Sequence, residues 1–329
     1  MGTTHEFEPL VEFGSPVMME FRDRLVPAYS DVNSGYVFFD PPHAYELRDY
    51  YQHEYPRMQA ETGYYTIEAD YNAAKNGNYA DQILEVYNAI MKRPPRSVFE
   101  LGCAFGGLVA EMASRGIAAG GADINATAIS QGREIGGTSN LICASNLDAL
   151  AGMAGPVDMI YSLGSLEHDP DMLRVIAACR DRLTENGLLF VMVPNAMYAG
   201  SVFGGFKNNW WVNYPQHLHM PSPGFIPSLS RTLGFLPVFW DTCIVFESHA
   251  QPPILGMFDD RQMTQARRDL WSMLLLGAGF GMALNFALTP DTNGMRFANI
   301  TQNINGTLEH ARQQEVKIRC YLKNAIPMV

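Results

Sequence analysis

The spacing of apolar positions changes near residue 97. Before it the chain is irregular, with one stretch of helical rhythm. In Asp81–Met91 (DQILEVYNAIM) the positions Ile83, Leu84, Tyr87 and Ile90 recur at helical intervals, and Pro94-Pro95 ends the run. From Ser97 onward, short apolar runs alternate with helical spacing. Val98–Leu101, Ala118–Ile124, Asn140–Ala144 and Val157–Ser162 read as strands. Leu108–Arg115 and Thr127–Ile135 read as helices, closed by Gly116 and by Gly136-Gly137. Asp169-Pro170 opens a helix expected to reach about Thr184, with a left-handed glycine at Gly187. Leu188–Val193 (LLFVMV) is apolar throughout, as in a parallel strand covered on both faces. Pro223–Leu233 is the next helix, ended by Gly234, and Phe235–Phe246 a strand interrupted at Pro237.

This βα alternation predicts a doubly wound α/β sheet. The predicted layout is an N-terminal segment 1–96, a core 97–246, a helical insertion 247–314 and a last core strand within 315–329 (EVKIRCYL from Glu315 to Leu322). Eleven of the fifteen tyrosines precede Arg96, among them Tyr64, Tyr65 and Tyr71, which suggests an aromatic lid over the sheet. Leu270–Leu288 holds 19 residues without a charge or a histidine, a length that could just span a bilayer. Gly277, Gly279 and Gly281 interrupt it, so a buried or subunit-contact helix is the expected reading, with a homodimer formed through 270–288.

Composition narrows the classes. A hydrophobic fraction of 47% with 17% charged residues excludes disorder and supports a sizeable core. The net charge of −11 disfavours non-specific binding to nucleic acid or to an anionic membrane. The five cysteines (103, 143, 179, 243 and 320) are scattered, with no C-x-x-C pair, which fits a reduced, cytoplasmic protein. Met1–Leu10 carries Glu6 and Glu8 and no apolar core, so no secretory leader is expected.

The densest chemistry lies in Val98–Leu108 (VFELGCAFGGL): a strand delivering an acid, a glycine-rich turn, then a helix. Glycines let a ligand approach the backbone, and the helix start turns its N–H groups toward it. Asp123, ending the next strand, suits a ribose whose two hydroxyls donate to a carboxylate. On these features alone, dinucleotide and other nucleoside ligands both remain open. The glycine spacing departs from G-x-G-x-x-G because Ala104 occupies the second position, and Glu100 would repel a diphosphate at close range. It would suit a cationic ammonium.

The run resembles motif I of class I S-adenosylmethionine-dependent methyltransferases. Asp158–Asp171 (DMIYSLGSLEHDPD) resembles the family's fourth motif, and Gln216–Phe235 (QHLHMPSPGFIPSLSRTLGF) its later H-L-x-x-x-S…G-F segment in small-molecule enzymes. The likeness spans about residues 97–246. It implies a seven-stranded Rossmann-like fold with S-adenosylmethionine as cofactor. The methionine end would lie on Glu100, Gly102, Cys103, Ala104, Phe105 and Gly106, the ribose and adenine between Asp123 and Ile124, and the base on Ser145, Asn146 and Leu147, where the family usually has an Asp. Ser162 and Leu163 would lie by the sulfonium, and Tyr71 would reach the cofactor carboxylate.

Methyl transfer needs alignment and, for a protonated nucleophile, a base. His168, His217 and His219 are the candidates. A small-molecule oxygen acceptor is expected first; nitrogen, sulfur and carbon acceptors stay open. No metal is expected. Relatives resembling an E-x-x-E-H ion site carry an acid where this chain has Gly164, which leaves only the adjacent Glu167 and His168. The rival readings are an NAD(P)-dependent oxidoreductase and a non-catalytic nucleoside-binding subunit.

Overall fold

The computed structural model describes residues 16–21, 24–31, 34–41, 47, 49–54, 57, 67–137, 140–198, 212, 214–243 and 283–291. Three short strands come first: β1 (Val17–Phe21), β2 (Arg24–Ser30) and β3 (Val37–Phe39). Two helices follow, α1 (Ile67–Asn76) and α2 (Tyr79–Met91). The alternating part runs β4 (Ser97–Leu101), α3 (Gly107–Ser114), β5 (Ala118–Asp123), α4 (Ala126–Gly136), β6 (Leu141–Cys143), α5 (Asn146–Gly152), β7 (Val157–Leu163), α6 (Met172–Arg180) and β8 (Leu183–Pro194). Then come β9 (His219–Met220), α7 (Ile226–Leu233), β10 (Phe235–Cys243) and β11 (Ala283–Pro290).

Seven strands form the central sheet in the order β10-β11-β8-β7-β4-β5-β6. The five strands β8, β7, β4, β5 and β6 are parallel, while β11 runs antiparallel to both β8 and β10. Side chains of each parallel strand alternate between two cores, as a period of two requires. Val98, Met159, Tyr161 and Leu188 face α2 and α3, whereas Phe99, Ile160, Leu189 and Val191 face α5, α6 and α7. Each such buried side chain contributes roughly 1.5–3 kcal/mol relative to exposure. The chain proceeds outward from β4 to β6 and then crosses back to β7 on the other side of β4. That reversal opens a crevice at the carboxyl ends of β4 and β7, where open α/β sheets take ligands.

Several expectations are corrected. Residues 1–96 are more than an irregular lid: β1, β2 and β3 pair antiparallel, and β9 completes this second sheet through Val37↔Met220 and Phe38↔His219. The helix expected to reach Thr184 stops at Arg180, and Gly187 lies inside β8 rather than at a cap. Leu183 pairs with Val157 and Leu188 with Met159, so residues 184–187 form an irregularity at the start of β8. Residues 247–314, read as helical, contain β11, and the 270–288 run contributes its last six residues to that strand. Leu284, Phe286, Ala287 and Leu288 are buried within the chain, so this part of the run is not available as a dimer contact. Residues 270–282 and the strand candidate 315–329 lie outside the described residues. Pro237 marks a register shift between β10 and β11, as expected of a residue without an amide donor. Among the described residues no helix is long and apolar enough to cross a membrane.

Candidate active site

The turn after β4 is built from three left-handed residues. Gly102 (φ +73°), Ala104 (φ +46°) and Gly106 (φ +73°) reverse the chain into α3. The amides of Gly102 and Cys103 both donate to the Ala122 carbonyl, at 2.8 and 3.0 Å, and that of Gly106 to the Cys103 carbonyl at 2.7 Å. A side chain at Gly102 is excluded twice over, since a Cβ there would lie 1.8 Å from Ser165 Oγ. Ala104 has no such freedom. Its conformation is held by Asp123, whose Oδ2 accepts the Ala104 amide at 2.9 Å while Oδ1 accepts the Asn125 amide at 2.8 Å. Asp123 therefore ties the ends of β4 and β5 together, and its two oxygens keep lone pairs for further donors. Burial pushes its carboxyl up, against the pull of these amides.

Glu100 lies beneath the turn, 6% exposed. Burial and then the charge of Asp123 raise it to about 8, while the Tyr161 hydroxyl, donating at 3.4 Å, opposes the rise. A buried carboxyl at the mouth of this turn is poised to ionise against a cation. Cys103 is buried against Gly121, where a Cβ would come within 2.8 Å of it, and burial pushes its thiol up, so it acts as packing. Phe105 sets its carbonyl against Gly132 of α4. Tyr71 is buried on α1, with its carbonyl against Gly107 at the start of α3.

The remaining predicted cofactor residues gather at the same carboxyl edge. Ile124 is 43% exposed, an apolar side chain left outside the core beside Asp123. Ser145 caps α5 by accepting the Asp148 amide at 3.2 Å, and Asn146 donates to Asp169 at 2.8 Å. Leu147 and Leu163 pack on opposite cores. Ser162 is fully buried at the end of β7, and its Oγ has no hydrogen-bond partner among the described residues.

The three candidate histidines divide into two environments. His219 is buried in β9, where the Tyr36 hydroxyl bonds its Nδ1 and the Phe38 ring lies 5.0 Å away. Burial lowers it to about 3, so it stays neutral. His168 and His217 instead lie side by side, ring centroids 5.0 Å apart and planes 21° apart. The join is made by backbone: the Leu218 amide donates to the Glu167 carbonyl at 2.8 Å, laying the His217 segment along the short 3₁₀ turn Leu166–His168. Tyr51 stacks on His168 at 5.8 Å and donates to the Gln216 carbonyl at 3.4 Å. Glu167 is 1% exposed, its Oε1 3.7 Å from His168 Nε2. Burial raises Glu167 to about 8; burial and then His217 hold His168 well below its ordinary value.

Sequence reasoning counted Glu167 and His168 as two adjacent donors and expected no metal. The fold adds a third: ligand atoms of Glu167, His168 and His217 all lie within 4.8 Å of one another. Tyr51 was not singled out for this site. The nearest signal was the crowding of tyrosines before Arg96, which gives no position.

A family model described as Methyltransferase domain matches residues 71–238. No curated protein matches the chain. Among solved structures, the chain is similar to the plantazolicin methyltransferase BamL in complex with a triazolic desmethylPZN analog and SAH, at 14% identity, covering 69% of this chain and 90% of that one, with a TM-score of 0.47. It is also similar to a SAM dependent methyltransferase from Archaeoglobus fulgidus, at 17% identity, covering 66% and 96%, with a TM-score of 0.43.

Proposed function

Because the chain belongs to the methyltransferase-domain family, matched over residues 71–238, we propose that it transfers the methyl group of S-adenosylmethionine to the hydroxyl of a small molecule. The donor is S-adenosylmethionine, and family membership removes the NAD(P)-dependent oxidoreductase from consideration. The observation that carries the site reading is the Gly102–Gly106 turn over a buried Glu100, tied to Asp123. The donor's ammonium lies toward Glu100 and its ribose hydroxyls donate to Asp123. Ile124, Ser145, Asn146 and Leu147 border the base, and Ser162, Leu163 and Tyr71 close the methionine end.

The reaction is an in-line displacement. An acceptor oxygen forms a bond to the methyl carbon as the carbon–sulfur bond breaks, and sulfur keeps the electron pair. Positioning and exclusion of water supply much of the acceleration. The acceptor's proton passes to an imidazole of the stacked pair His168 and His217, which lies beside the buried Glu167. Ser165, packed on Gly102, leads directly into the turn that carries Glu167 and His168, which puts this cluster next to the donor turn. His219 takes a supporting part in this reading, through Tyr36. The free thiols Cys103, Cys143 and Cys179 support a cytoplasmic setting.

Calorimetric titration with S-adenosylhomocysteine tests the donor site, and transfer of a labelled methyl group to pools of alcohols, amines, thiols and carbon acids tests the acceptor. Heat of binding together with label in the alcohol pool is the expected result. Binding with label confined to amines or thiols would overturn the oxygen assignment, and absence of binding would overturn the whole reading.

A further inference from the structure

We propose that Glu167, His168 and His217 form a site for one divalent transition-metal ion of the zinc class. Their ligand atoms lie within 4.8 Å of one another. Glu167 is 1% exposed, and neither its Oε2 nor His168 Nε2 has a hydrogen-bond partner among the described residues. A buried carboxyl oxygen left without a hydrogen-bond partner is costly unless a ligand meets it. The 3.7 Å from His168 Nε2 to Glu167 Oε1 is close to the edge of about 3.4 Å that ligand bonds of about 2.1 Å give in a tetrahedron.

The donor set selects the ion class. Two imidazoles and one carboxylate suit zinc and its neighbours, whereas magnesium and calcium take oxygen ligands. Three protein ligands also leave a fourth position open, the pattern of a reactive rather than a structural zinc site. The scaffold is built before any ion arrives. The Leu218 amide fixes the His217 segment on Glu167, and the Tyr51 ring fixes the plane of His168. Gly164 supplies no donor although its Cβ position lies 3.8 Å from Glu167 Oε1, so the third donor comes from the segment after β8.

Ion binding stands on these donors alone; its catalytic consequence rests on the proposed methyl transfer. Glu167, His168 and His217 would hold the ion, and the two imidazoles would then act as its ligands in place of acting as bases. Such an ion would supply Lewis-acid activation, lowering the pKa of an acceptor hydroxyl before methyl transfer.

The test uses the full chain, stripped with a chelator and dialysed against Co(II) and, separately, Zn(II). One ion per chain is expected, with visible d–d absorption for cobalt. H217A and E167Q should each weaken binding by at least about tenfold, while H53A, at an exposed histidine paired with Asp49, leaves it unchanged. No stoichiometric ion, or full affinity in both E167Q and H217A, overturns the proposal. Far-UV circular dichroism and S-adenosylhomocysteine calorimetry run on the same samples. A variant that keeps its fold and its nucleoside binding but loses cobalt supports the site. Loss of nucleoside binding in the wild type, with cobalt retained, overturns the methyl-transfer reading and leaves the ion site standing.

Discussion

The Tyr161 hydroxyl donates to Glu100 Oε2 at 3.4 Å, from a residue directly beside it in the β4–β7 pairing. This contact is too weak to offset burial, and the Glu100 carboxyl sits at about 8. The free protein therefore carries a proton there at neutral pH. A bound ammonium favours the carboxylate, so binding S-adenosylhomocysteine releases that proton. Affinity should rise from pH 6 to 8, by at most about tenfold per unit. Calorimetry in two buffers of different ionisation enthalpy reads the proton directly. E100Q should bind more weakly with a flat profile; a flat profile in the wild type would refute the assignment.

Gly102→Ala should abolish nucleoside binding and lower stability. Left-handed backbone costs a residue with a Cβ about 1–2 kcal/mol, and the new methyl would meet Ser165 Oγ at 1.8 Å. Gly152→Ala is the matched control, since nothing lies within 4 Å of its Cβ position. Melting temperature and ligand heat measured on both variants separate local strain from a general intolerance of alanine.

Asp123→Asn keeps the size of the side chain but removes the charge and one of the two acceptors that hold Ala104 and Asn125. The expected loss is about 1.5–3 kcal/mol of nucleoside affinity, the worth of hydrogen bonds to a charged group. Undiminished affinity in D123N would show that the carboxylate serves the turn and not a ribose.

Stability should fall as pH rises from about 5 to 9. Glu100 and Glu167 both sit at about 8, above their unfolded values, so the contribution of their protonated forms is complete below the unfolded values and lost through 8. The E100Q/E167Q double variant should flatten this alkaline slope in thermal melts. On the acid side Asp158 acts in the opposite sense. Burial pushes it up, but Arg93, the Arg96 amide and both guanidinium charges hold it below the usual range, so its contribution is lost on acidification.

Asp158→Ala should destabilise by about 1–3 kcal/mol. The carboxylate is buried at the start of β7 and accepts from Arg93 at 2.9 Å and from the Arg96 amide at 2.8 Å, clamping the approach to β4. Denaturant titration gives the value. A change below about half a kcal/mol would show that the clamp is only a surface ion pair.

The parallel half of the sheet was legible because local rules act alone there. Apolar runs such as Leu188–Val193, and left-handed glycines at 116, 137 and 234, announce their elements without long-range partners. The glycine turn and Asp123 were legible for the same reason. What stayed hidden depends on distant pairing. Tyr36 and His219 are 183 positions apart, so the small sheet leaves no local trace in the spacing of residues 17–39. β11 lies in an uncharged run whose composition serves helix and strand alike, and only its place between β8 and β10 decides. The donor cluster needed the single backbone bond from Leu218 to Glu167, which no motif spells out.

The pairing of β3 with β9 stitches the N-terminal ribbon to the stretch that delivers His217, two residues before His219. The ribbon and the donor cluster therefore share one anchor, since Leu218, next to His219 of β9, gives its amide to Glu167. A reagent that traps the ribbon in place should hold the three donors assembled as well.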